Sequence, residues 1–174
     1  YELIDLEMKN SKFVVDIKFN PNEEFNENGL DKVEFLISTN IGEDYKELAK
    51  IASGGEMSRI MLAIKTVFAD VDEVPVLVFD EIDTGISGIA ANSVGNKMKM
   101  ISKKHQVICI THLATIAAKG DFNYYISKKV IEDKTKTTIK LLNEEEIINE
   151  IARISTGNIT EISLRHAREL RKLG

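Results

Sequence analysis

The sequence holds one cysteine, no apolar run near the roughly 18 residues of a membrane span, and no excess of positive charge. One thiol cannot build a disulfide framework or a cysteine-rich zinc site. Cys109 lies inside Val107-Ile108-Cys109-Ile110 and reads as a buried strand residue. Without a long apolar run or a charged-then-apolar leader, membrane-spanning and secreted classes fall away, and a soluble cytoplasmic domain is expected. A net charge of −5 supplies no global field for nucleic acid, although a local patch stays open. Lys97, Lys99, Lys103 and Lys104 come nearest to one and read as a solvated helix face. No internal repeat or low-complexity tract is visible. What is present, 174 residues with 43% hydrophobic and 29% charged side chains, suffices for one ordinary core. The first residue, Tyr1 rather than Met, suggests a piece of something longer.

Hydrophobic spacing divides the chain. Phe13, Val15 and Ile17 alternate along a half-buried strand, which Asn20-Pro21-Asn22 breaks. After a polar loop through Asn26 to Gly29, residues 32–38 form its antiparallel partner. Met57, Ile60, Met61, Ile64, Val67 and Phe68 recur every three or four residues, predicting a helix that starts at Ser53-Gly54-Gly55-Glu56. The run Val76-Leu77-Val78-Phe79 predicts a central strand buried on both faces. A helix through Ala90, Val94, Met98 and Ile101, a second buried strand over 106–110 and a short helix near 113–118 follow. That order implies parallel strands joined by crossovers. Residues 124–141 read as an edge hairpin turning at Glu132-Asp133-Lys134. Two helices close the chain, one capped by Asn143 with Glu146 three residues on, the other beginning near Thr160.

In parallel sheets ligands collect at the carboxyl ends of the strands, so the residues that follow each strand carry the most information. Asp80-Glu81 follow the first and His112 the second. Two carboxylates directly after an apolar strand are costly to place unless a cation or a proton transfer employs them, the alternative being two solvated turn residues. Asp80 can hold Mg²⁺, largely through water, and Glu81 can orient or deprotonate an attacking water. His112, otherwise an ordinary turn histidine, can donate a hydrogen bond to a terminal phosphoryl oxygen if the two strands are neighbours. Ser53-Gly54-Gly55-Glu56 offers a helix N-terminus with exposed amides, which attracts phosphate, or else an ordinary cap. No Gly-x-x-x-x-Gly-Lys-Ser/Thr loop occurs, so metal-and-water chemistry is present without a phosphate cradle.

Taken in order, Ile51-Ala52-Ser53-Gly54-Gly55-Glu56-Met57-Ser58-Arg59, Val76 through Gly88, and Ile110-Thr111-His112-Leu113 resemble the ABC-type ATPases. The wording of the first two segments is similar to the bacterial DNA-repair branch of that family, related to the structural-maintenance-of-chromosomes (SMC) proteins. The resemblance spans most of the chain, is densest over 33–125, and returns in 150–154 and 163–169. It implies an α/β fold, the C-terminal lobe of an ABC-type P-loop ATPase head, with a mainly parallel sheet flanked by helices and antiparallel edge strands. Residues 1–10 would then leave a coiled coil, and 11–174 would form the C-terminal half of the head.

The resemblance further implies that Ser53, Gly54, Gly55 and Glu56 are the signature motif, which reaches across a dimer to a triphosphate on the opposite head. Asp80 would be the magnesium aspartate, Glu81 the catalytic glutamate and His112 the switch histidine. Thr84, Gly85 and Ser87 would lie in the loop lining the dimer seam. Ser87 stands where many relatives have aspartate, and Glu56 replaces the glutamine common in transporters. The implied ligands are ATP and Mg²⁺. The implied partners are the N-terminal half bearing the Walker A loop, a second copy of the head, and DNA, with no membrane and a place in the bacterial cytoplasm at the nucleoid. The isolated chain would hydrolyse no ATP. An ABC transporter subunit is the alternative, but it predicts a phosphate loop in the same domain and a proline where Ile82 follows Glu81. A non-catalytic interaction module is a third reading.

Overall fold

The computed structural model describes residues 1–19, 27, 29–51, 53–131 and 134–174. The break expected at Asn20-Pro21-Asn22, the loop residues Asn26 and Asn28, and the turn residues Glu132 and Asp133 lie outside the described residues. The chain opens with a one-turn helix α1 (Glu2–Asp5). An antiparallel pair follows, β1 (Lys12–Phe19) with β2 (Asp31–Ser38), and β3 (Lys46–Glu47) adds to the free edge of β2. After a 3₁₀ turn at Leu48–Lys50 come α2 (Gly54–Phe68), β4 (Val76–Phe79), α3 (Gly88–Ile101), β5 (Gln106–Cys109) and α4 (Ala114–Ala117). The hairpin β6 (Tyr124–Ile131) and β7 (Lys134–Leu141) and the helices α5 (Glu144–Thr156) and α6 (Glu161–Leu173) complete it.

Helix α3 carries the chain from β4 to β5, which therefore run parallel with Val76 opposite Gln106 and Phe79 opposite Cys109. This is the whole of the parallel sheet among the described residues, so the expected mainly parallel sheet reduces to one pair. The remaining strands fold back directly onto their neighbours and pair antiparallel.

The main core gathers Leu62 and Ala63 of α2, Leu77 and Phe79 of β4, Val94, Met98 and Ile101 of α3, and Ile82 and Ile116 from the adjoining loops and α4. Leu6, just after α1, is fully buried in it. Burying each such side chain contributes about 1.5–3 kcal/mol. A second cluster joins Ile147, Ile151 and Ala152 of α5 to Ala167 of α6. The α3 face expected from spacing is the buried one. In α2 the buried side is set by Ile60, Leu62 and Ala63, while Val67 and Phe68 at the end are exposed.

Two expectations about burial fail, for one reason. Strand β4 alternates instead of being covered on both faces: Leu77 and Phe79 are buried, yet Val76 and Val78 are exposed, Val78 at 64%. Ile108 and Ile110 continue that bare face. On β1 and β2, the face carrying Phe13, Val15, Ile17, Val33 and Phe35 is exposed too, with Phe13 and Phe35 stacked 5.6 Å apart. An apolar strand run demands a covering layer, and no described residue supplies one here. Contiguous apolar patches of this kind mark interaction surfaces.

Candidate active site

Asp80 and Glu81 leave the end of β4, and Ile110 to His112 leave the end of β5 beside it, the Ile110 N–H donating to Phe79 O at 3.0 Å. Both ends share one rim because the strands pair in parallel without a stagger. Asp80 and Glu81 are exposed. The Asp80 carboxylate accepts the Glu81 N–H at 2.9 Å, which turns the chain sharply. Glu81 sits at φ +57°, the left-handed region that a non-glycine residue enters at a cost of about 1–3 kcal/mol. Such strain persists only where the surroundings enforce it. Here Thr84 N–H donates back to Glu81 O at 3.0 Å.

Helix α2 lies against this turn. The Ser58 hydroxyl donates to Asp80 O at 2.7 Å, and the buried Arg59 guanidinium donates to Thr84 O at 2.9 Å and to Ile82 O at 3.5 Å. Burial holds the Arg59 guanidinium below its ordinary pKa, opposed by the nearby Glu56 carboxylate. Gly54 and Gly55 are the contact. A Cβ on Gly54 would run into the Glu81 carboxylate, and one on Gly55 would meet Thr84 O at 3.0 Å and Glu81 O at 3.1 Å. The two glycines thus have an intramolecular purpose, seating the 81–84 turn, beyond the close approach to an anion that the sequence suggested. Ser53 caps α2 by accepting the Glu56 N–H at 3.4 Å. Gly85 takes φ +76° beyond the turn, and Ser87 occupies the N-cap position of α3 without a side-chain cap bond.

His112 is joined to this turn by a residue that sequence reasoning passed over. Asp83, 2% exposed, accepts the Thr111 hydroxyl at 2.5 Å and the His112 N–H at 2.8 Å, and its same oxygen lies 3.1 Å from His112 Nδ1. The His112 side chain is itself 71% exposed, so its position is set by that tether while Nε2 stays open. The available signal was weak: a carboxylate directly after the fully buried Ile82 cannot be an ordinary solvated residue, but that burial is not visible in the sequence. Arg59 and Ser58 were missed similarly. Cys109 at the end of β5 has its thiol pushed up to about 12, first by burial and then by Asp83 and Asp80, which makes it an inert structural thiol.

Among the described residues no three or more His, Cys, Asp or Glu side chains group to hold a metal. The donor set nevertheless fits Mg²⁺ in the form the sequence implied. Asp80 would offer one hard, exposed oxygen ligand, which suits an ion that keeps much of its water shell. Nothing in the rim suits a fully protein-ligated ion.

The architecture corresponds to a defined class. The chain aligns with the Smc head domain with a coiled coil and joint from Pyrococcus yayanosii at a TM-score of 0.58 and 22% identity, covering 89% of this chain and 28% of that one. It aligns with the Smc head with an extended coiled coil from Pyrococcus furiosus at 0.53 and 23%, covering 89% and 36%. The fold is that of the Smc head domains, of which the chain matches a part. Sequence similarity narrows the class. The chain is 46% identical to the DNA repair protein RecN of Halalkalibacterium halodurans over 97% of its own length, and 47% identical to that of Bacillus subtilis over 84%. The chain is thus similar to part of these RecN proteins, spanning 30% of the length of the first and 26% of the second. No protein-family model matches it. These likenesses do not favour the transporter alternative. No helix among the described residues is long and apolar enough to cross a membrane.

Proposed function

We propose that this chain is the C-terminal half of the ATPase head of a bacterial DNA-break repair protein, and that ATP is hydrolysed where two such heads close on each other. Residues 1–10 lead in from a coiled coil, residues 11–174 form the half-head, and the Walker A loop comes from an N-terminal half of the same protein. The protein works in the cytoplasm at the nucleoid, engaging DNA through the assembled molecule.

The observation that carries this reading is the rim. Two exposed carboxylates and a tethered histidine leave adjacent parallel strands, with a serine-capped, glycine-led helix N-terminus pressed against the glutamate. Asp80 would hold Mg²⁺, which when bound supplies positive charge against the triphosphate. Glu81 follows it at φ +57° with its carboxylate beside Gly54 of α2, suited to orienting a water and accepting its proton. With Nδ1–H directed at Asp83, His112 presents Nε2 outward, which donates to a phosphoryl oxygen when the ring is doubly protonated. Ser53 and the Gly55 amide serve the nucleotide of the opposite head, so turnover requires dimerisation. Thr84, Gly85 and Ser87 line the seam.

In a head reconstituted with its N-terminal half, Glu81→Gln should keep ATP binding and lower turnover by about 100-fold or more. Ser53→Arg should block turnover while single-site ATP binding persists. Unchanged turnover in the first variant removes Glu81 from its role. Loss of binding in the second places Ser53 on its own subunit's nucleotide.

A further inference from the structure

Away from the rim, the β6–β7 hairpin carries a charge pattern that ATP chemistry does not use. Tyr125 pairs with Lys140, Ser127 with Thr138, Lys129 with Lys136 and Ile131 with Lys134. Paired residues point to the same side of a sheet and alternate residues along each strand return to it. Lys129, Lys134, Lys136 and Lys140 therefore share one face with the hydroxyls of Ser127 and Thr138, which bond to each other at 2.8 Å. All four lysines are exposed.

Lys129 and Lys136 stand directly opposite each other, an arrangement of like charges that destabilises a hairpin. Elsewhere several lysines are neutralised: Lys65 pairs with Asp72, Lys97 with Glu2 and Asp5, Lys99 with Asp121, and Lys104 with Asp70. Three of the four lysines in the cluster that the sequence made the nearest thing to a basic patch, Lys97, Lys99 and Lys104, are thereby paired. On the hairpin Lys140 pairs with Glu146, while Lys129, Lys134 and Lys136 have no ion-pair partner among the described residues. Residues 124–141 hold five lysines against two acidic residues in a chain of net charge −5.

We infer that this hairpin face binds the phosphodiester backbone of a nucleic acid. Opposed lysines with no ion-pair partner among the described residues are a cost that an external polyanion removes. Lysine is a flexible point-charge donor, suited to a repeating row of phosphates more than to the fixed carboxylate geometry of a folded acidic protein. Lys134 and Lys136, two residues apart, are separated by about 7 Å along the strand. That is twice the roughly 3.4 Å axial spacing of charges on one strand of a duplex, so each reaches a different phosphate.

The test uses the 174-residue chain without nucleotide, so its result is independent of the ATPase reading. Fluorescence anisotropy measures binding to a labelled 30-base-pair duplex and to a single strand of the same length, across a salt series, with polyglutamate as the protein-like polyanion. Lys129→Gln with Lys136→Gln should weaken DNA binding about tenfold and reduce the slope of log affinity against log salt by about 1.8, the value for two lost phosphate contacts. The equally charged control Lys103→Gln with Lys104→Gln should change neither, and Lys129→Arg with Lys136→Arg should keep binding. Stronger binding to the duplex or to the single strand identifies the form preferred, and either supports the face. In the unmodified chain DNA should protect Lys129 and Lys136 from acetylation, a readout that needs no variant. No DNA binding, equal losses in the control, polyglutamate bound as tightly as DNA, or no protection would each overturn the inference.

Discussion

At the C-terminal end of the molecule, α5 and α6 settle their own accounts within the chain. Asn143 and Glu146 close a reciprocal capping box, Thr160 and Ser163 a second, and Gly157 ends α5 at φ +77° with its N–H on Arg153 O. Arg171 then ties α6 to Glu144 and to the carbonyls of Ala118 and Gly120. The strands before them are unlike this. One face of β4–β5 is packed by Leu77 and Phe79 while the other shows Val76, Val78, Ile108 and Ile110, and β1–β2 likewise shows a bare apolar face. The helices belong to a finished layer and the strands to a layer whose other side no described residue covers. The rim of Asp80, Glu81 and His112 lies at the carboxyl ends of β4 and β5, against α2.

Three substitutions, of decreasing expected effect, test the contrast. Ile151→Ala, inside the finished layer at 1% exposure, should cost about 2–5 kcal/mol in urea unfolding because it leaves a cavity among packed neighbours. Asp83→Ala, at the rim, should cost about 1–3 kcal/mol by orphaning the Thr111 hydroxyl and His112 N–H. In a reconstituted head it should also lower turnover, since His112 loses its tether. Val78→Thr, on the bare face, should stay within about 0.5 kcal/mol for the isolated chain. A cost of 2 kcal/mol at Val78 would mean that the face is covered within this chain, and the contrast would vanish.

Much of the element order was legible because it rests on local periodicity. The spacing of α3 and the capping box at Asn143 are written in neighbouring residues, and so is the emergence of Asp80-Glu81 from an apolar strand. What could not be read depends on partners distant in sequence. An apolar run such as Val76 to Phe79 states that two faces want covering but not whether the cover is present, so the strand looked fully buried. Asp83 looked like any loop carboxylate until the neighbouring strand brought Thr111 and His112 against it. Gly54 and Gly55 suggested an anion, and only the fold shows the 81–84 turn seated on them. The hairpin lysines stayed hidden because their opposition requires the strand register, while Lys99 and Lys104 of the cluster visible in the sequence find carboxylates.

The central claim is that this chain carries part of the machinery around a triphosphate and that an N-terminal half-head covers the bare β4–β5 face while bringing the phosphate loop. The most direct measurement is steady-state ATP hydrolysis by the 174-residue chain alone and after co-expression with that half. The account predicts background turnover alone and magnesium-dependent turnover from the copurified pair. Hydrolysis by the isolated chain that Glu81→Gln abolishes, or a pair that assembles and stays inert with ATP and Mg²⁺, would contradict it.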